Sequence, residues 1–211
     1  MFCVRYTSPE KAVIALGVFC LALLMGGPAE AAEASSKASM KVFGTARAPI
    51  GYAQFCSEQP SECSERSAKP VQVILDAVRF DQLDRINRAI NITIAPMTDA
   101  ELYGVAERWS YPDDRGDCED YVLLKRRTLI EAGWDPSALL ITVVRDQKGA
   151  GHAVLTVVTD HGDYVLDNQR DVLLLWQATG YEFIKRQSQN DPRAWVYVGP
   201  PRTDNGVAST R

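Results

Sequence analysis

Apolar residues recur at helical spacing between Val71 and Ile92, with Val78, Leu83, Ile86 and Ile90 among them, and the pattern stops near Pro96. Asp99 to Trp109 reads as a further short helical segment, followed by a loop through Pro112 and Gly116. A helix is then predicted from Cys118 to about Ala132, ended by Gly133. Beyond it the period changes. Leu139 to Val144 is a continuous apolar run of the kind that fills a buried strand, and polar Arg145 to Gly149 make a turn. His152 opens another strand through Val158, Asp160 to Asp163 has hairpin-turn composition, and Tyr164 to Leu166 returns. Tyr181 to Ile184 and Trp195 to Val198 are later strand candidates. Helices come first and antiparallel strands second, so the predicted class is α+β.

The start of the chain follows a different logic. Arg5 and Lys11 precede an apolar run of 14, Ala12 to Met25, which Gly26-Gly27-Pro28 breaks ahead of small residues at Ala29-Glu30-Ala31. That is the pattern of a secretory signal, cut after Ala31, or after Ala34 in a second A-x-A site. The run is short of the about 20 residues a membrane-spanning helix needs, so no stable span is expected once the signal is removed. The predicted organisation is a signal over 1–31, an arm over 32–70, a core over 71–200 and a loose polar tail over 201–211.

Charge narrows the partners. The net charge is −4, and no basic stripe marks a nucleic-acid surface; Lys125-Arg126-Arg127 reads as a solvated helix face. Of the five cysteines, Cys3 and Cys20 leave with the signal. Cys56 and Cys63 flank a short polar loop and, in an oxidising compartment, are expected to form a disulfide. Cys118 is then the odd one out, and an exported odd cysteine is expected to be either buried or used.

Its surroundings favour use. In Gly116-Asp117-Cys118-Glu119-Asp120-Tyr121 the cysteine stands at a helix N-terminus, where unpaired N–H groups and the helix dipole favour thiolate. Helical spacing puts it on the side of Val122 and Leu129, which is expected to pack on the sheet. His152 begins a strand after small Gly149-Ala150-Gly151, and Asp167 closes the partner strand of the hairpin. Folding at about Gly162 brings those two strand ends together without directly opposing them. Cys118 as nucleophile, His152 as acid and base, and Asp167 as the group that orients the ring form the predicted triad. The Cys118 N–H is a candidate oxyanion donor, with Gln54 and Trp109 considered for a second. The chemistry requires sulfur and imidazole within proton-exchange reach and an opening to solvent. The same residue types admit acyl transfer to an amine, a non-catalytic binding module, or a zinc site.

These motifs carry a resemblance. Tyr103-Gly104, the GDCEDY stretch of 116–121, Gly151-His152-Ala153-Val154-Leu155 and Val165-Leu166-Asp167-Asn168 together resemble the bacterial transglutaminase-like cysteine proteinases. Pro49 to Tyr52, with Phe55-Cys56 and Cys63, is similar to the smaller proteins of that family. The resemblance implies a papain-like, transglutaminase-type core, a periplasmic setting and, from its best-understood members, cleavage of large surface adhesins in biofilm release. It also implies calcium held by acidic residues beside the nucleophile, positions that Asp117 and Glu119 match. There is an independent physical motive: two carboxylates beside a thiolate oppose its ionisation, and a bound divalent cation would relieve that conflict.

Overall fold

The computed structural model describes residues 39–64 and 69–199; the predicted signal over 1–31 and the tail over 201–211 lie outside them. In chain order the strands are β1 (Gly44–Ala46), β2 (Ala95–Pro96), β3 (Arg115–Gly116), β4 (Leu139–Arg145), β5 (Gly151–Thr159), β6 (Gly162–Leu166), β7 (Leu174–Leu175), β8 (Glu182–Gln187) and β9 (Trp195–Tyr197). The α-helices are α1 (Ile50–Glu58), α2 (Ala77–Thr93), α3 (Asp99–Leu102) and α4 (Cys118–Glu131).

The apolar runs become the middle of an antiparallel sheet ordered β1-β9-β8-β4-β5-β6-β7. β5 is buried along nearly its whole length, which is why its sequence shows no polar alternation. Ala153, Leu155 and Val157 join Leu139 and Ile141 in one core with Val122 and Leu129 of α4. Val154 packs on the other face with Val144, Val165, Phe183 and Met40. Helices before an antiparallel sheet is the α+β arrangement expected.

Three local readings are corrected. The helix predicted over 71–92 starts at Ala77, because Asp76 caps it by accepting from the Arg79 N–H at 2.8 Å. The residues before it run extended, with the Val73 N–H donating to Val158 O at 3.0 Å. The helix predicted over 99–109 ends at Leu102, and Gly104 at φ +70° turns the chain away. Lys125-Arg126-Arg127 is not a solvated face throughout, because Lys125 and Arg126 are buried and Arg126 Nε donates to Leu139 O at 3.1 Å. In the described part of the arm α1 buries Gly51, Tyr52 and Phe55, and the expected Cys56–Cys63 disulfide ties its end to the following 3-10 turn.

Candidate active site

Asp117 is the N-cap residue of α4 and Cys118 its first helical residue. Gly116 is needed just before them, because a Cβ there would lie 2.7 Å from Asp120 Oδ2 and 2.8 Å from Asp120 Cβ. The Asp120 carboxylate is thus folded back under the turn, where Oδ1 accepts the Ser110 N–H at 2.9 Å. The Cys118 sulfur falls at the seam between helix and sheet, 3.4 Å from the backbone N of Ala153 and one residue along from His152.

The hairpin register brings the imidazole and the carboxylate together. Leu155 opposes Leu166, so Asp167, one residue beyond β6, stands across from Val154. Side chains alternate along a strand, so Asp167 and His152 share a face as diagonal neighbours. His152 Nε2 lies 2.8 Å from Asp167 Oδ1. Three further donors serve Asp167: the Gln169 N–H reaches Oδ1 at 2.9 Å, the Tyr181 hydroxyl Oδ2 at 2.6 Å, and Asn91 Nδ2 its carbonyl oxygen at 2.9 Å. Burial opposes ionisation of Asp167, but the hydrogen bond and charge of His152, aided by Tyr181 and Gln169, outweigh it and hold the carboxyl below its ordinary value. Cys118 and His152 are fully buried, so the opening to solvent that the chemistry requires is not present at the sulfur in this structure.

A second constellation adjoins the first. One carboxylate oxygen from each of Asp99, Asp117 and Glu119 lies within 4.8 Å of the others. All three residues are buried, and Asp99 Oδ1, Asp117 Oδ1 and Glu119 Oε1 have no hydrogen-bond partner among the described residues. Asp117 makes no side-chain cap bond, so complementing the helix N-terminus does not account for where its carboxylate goes. Burial raises both Asp117 and Glu119 above the carboxylate range, and the charge of Asp117 pushes Glu119 further. Asp120, also pushed up by burial, rises to about 8. Such a cluster of buried carboxylates fits a hard divalent cation.

Sequence reasoning missed Asp99. It follows Thr98 in a Thr-x-x-Glu capping box, where an acid at a helix start has an ordinary explanation. It missed Tyr181 as well. Neither residue weighed as a second oxyanion donor is unoccupied: Gln54 Nε2 donates to Glu58 at 3.0 Å, and Trp109 Nε1 to Glu107 at 3.0 Å.

A family model described as bacterial transglutaminase-like cysteine proteinase matches residues 42–203. Among solved structures, calcium-bound LapG of Legionella pneumophila is similar with a TM-score of 0.50 and 22% identity, over 64% of this chain and 77% of that one. Another LapG structure from that organism has a TM-score of 0.47 and 24% identity, over 56% of this chain and 69% of its own. At these identities the first likeness speaks for the fold. No curated protein sequence matches the chain.

Proposed function

The chain belongs to the bacterial transglutaminase-like cysteine proteinases, and from that premise we propose that it is exported and cleaves peptide bonds with Cys118, His152 and Asp167. The observation that carries the assignment is the His152 Nε2–Asp167 Oδ1 pair at 2.8 Å, with the Cys118 sulfur 3.4 Å from the next backbone nitrogen along β5. The Cys118 thiolate attacks the scissile carbonyl carbon, and the His152 imidazolium passes its proton to the leaving amine as the C–N bond breaks. Water then attacks the acyl-enzyme, His152 takes its proton, and the C–S bond breaks to restore the thiolate. Asp167 keeps the ring oriented and its charge balanced throughout. The Cys118 N–H, in the first turn of α4, would donate to the developing oxyanion.

Calcium belongs to this reading. Asp99, Asp117 and Glu119 would hold it, and when bound it supplies the positive charge that lets those carboxylates ionise next to a thiolate. The support is the donor set itself: three clustered buried carboxylates, with no side-chain cap bond from Asp117.

Export rests on the predicted signal over 1–31, with the remaining chain working in the periplasm as arm, core over 71–200 and tail. Among the described residues no helix is long and apolar enough to cross a membrane. The substrate class that follows is an exported protein, and the family resemblance makes a large surface adhesin the first to try. The test is cleavage of an adhesin fragment by the purified protein beside its Cys118→Ala variant. Cleavage by the wild type and none by a folded variant is the expected result; equal cleavage by both would remove Cys118 from the mechanism.

A further inference from the structure

Tyr181 is fixed more firmly than its place in a loop requires. The turn from Trp176 to Ala178 closes on Thr179, whose hydroxyl donates to Trp176 O at 2.8 Å and accepts the Tyr181 N–H at 3.1 Å. Gly180 adopts φ +71°, a conformation that side chains disfavour, and this sends the chain back toward the hairpin. Gln147 Nε2 pins the same loop by donating to Thr179 O at 3.1 Å. The tyrosine ring then meets His152 edge-on, with centroids 5.8 Å apart, while the Arg170 guanidinium covers it at 5.3 Å.

The hydroxyl ends at Asp167 Oδ2, 2.6 Å away. Asp167 Oδ1 already receives His152 Nε2 and the Gln169 N–H. Oδ2 would otherwise be a nearly buried carboxylate oxygen in need of a donor, and such a group turns or takes up a proton to find one. We propose that Tyr181 is a positioning residue of the peptidase: its hydroxyl locks the Asp167 carboxylate so that Oδ1 faces His152, and its ring edge sets the tilt of the imidazole. The inference rests on the Cys118–His152–Asp167 reading above. The groups around the phenol are consistent with a permanent donor. Burial first, and then the charge of Asp167, hold Tyr181 far above the ordinary phenol range, with Asp146 adding to the rise and Arg170 opposing it.

Tyr181→Phe keeps the ring and removes the hydroxyl. The expected result is a loss of about tenfold in kcat with KM unchanged, since the group touches no substrate. In nitrogen-labelled protein the His152 Nε2–H resonance is expected to move, a signature that loss of packing elsewhere would not give. In an Asp167→Asn background the same change is expected to cost nothing more, because the hydroxyl acts through that carboxylate. Wild-type kcat together with an unmoved Nε2–H resonance would overturn the proposal, as would losses that multiply in the double variant. Should Tyr181→Phe not fold, the Tyr181 Cζ resonance of the wild type decides: it moves in Asp167→Asn if the coupling exists, and a stationary signal overturns it. The resonances do not need turnover, so a wild type that cleaves nothing refutes the peptidase reading separately.

Discussion

The Cys118 sulfur stands 3.1 Å from Glu119 Oε2 within a fully buried site. A carboxylate so placed opposes a thiolate, against the helix N-terminus that favours one. Glu119 therefore belongs to two neighbourhoods at once, the nucleophile and the acid cluster with Asp99 and Asp117. A cation that claims its carboxylate relieves the sulfur at the same time.

Glu119→Gln separates these roles, since it keeps the shape and removes the charge. Calcium affinity measured by titration calorimetry is expected to fall roughly tenfold or more, because the charge of the donor set governs affinity at such sites. Asp99→Asn is expected to weaken binding likewise, although it lies on a different helix from the nucleophile. Unaltered affinity in both variants would take the cation away from this cluster.

The raised carboxyls fix the sign of a pH effect. Asp120 is pushed up to about 8, and Asp117 and Glu119 are also raised, all chiefly by burial. Their unfolded counterparts release protons near about 4, so between that pH and about 8 the folded chain binds more protons than the unfolded one. Stability of the cation-free protein is then fullest below the unfolded values and declines as pH rises through the folded ones. The thermal midpoint without calcium is expected to fall from pH 5 to pH 8, and added calcium to raise it more at pH 8 than at pH 5. A calcium increment that is larger at pH 5 would contradict the assignment.

How far the chain disclosed this in advance depends on where each residue's partners lie. The change from helical spacing to continuous apolar runs at Leu139 marked β4 and β5, because both faces of those strands are buried. Cys118, His152 and Asp167 stood out since each begins or ends an element whose pattern is clear. Asp99 was hidden by its own capping box, and Tyr181 read as the first residue of a strand. The helix α1 was invisible for another reason. Tyr52, one of its three buried residues, packs edge-on against Trp109 and Trp195, which are remote in sequence, so local periodicity carried little trace of it.

Asp167→Ala tests the hairpin's part in catalysis. It removes the acceptor of His152 Nε2 and leaves the Tyr181 hydroxyl and the Gln169 N–H without theirs. A loss of about 10²–10⁴-fold in kcat is expected, the range spanned by general acid–base and orienting groups in such triads. KM is expected to change little. Steady-state kinetics on a peptide substrate would show this, and a variant within a few-fold of wild-type kcat would assign the orienting role elsewhere.

The disulfide sets a last expectation. Cys56 and Cys63 are separated by 7 positions, and so short a loop gives a chain-entropy effect of about 2.5 kcal/mol. It closes the end of α1, whose Tyr52 packs on Trp109 and whose Phe55 meets Tyr111 edge-on. Gly51 allows that approach, since a Cβ there would lie 2.3 Å from the Trp109 ring. The Cys56→Ser, Cys63→Ser double variant is therefore expected to remain folded and to melt roughly 5–10 °C lower, the shift that follows for a chain of this size. The proposed triad is carried by other elements, α4 and the hairpin, so kcat below the melting range is expected to stay within a few-fold of wild type. Calorimetry and kinetics on one preparation check both. A large drop in kcat with an unchanged midpoint would mean that the bridge acts on the site directly rather than by holding α1 against the core.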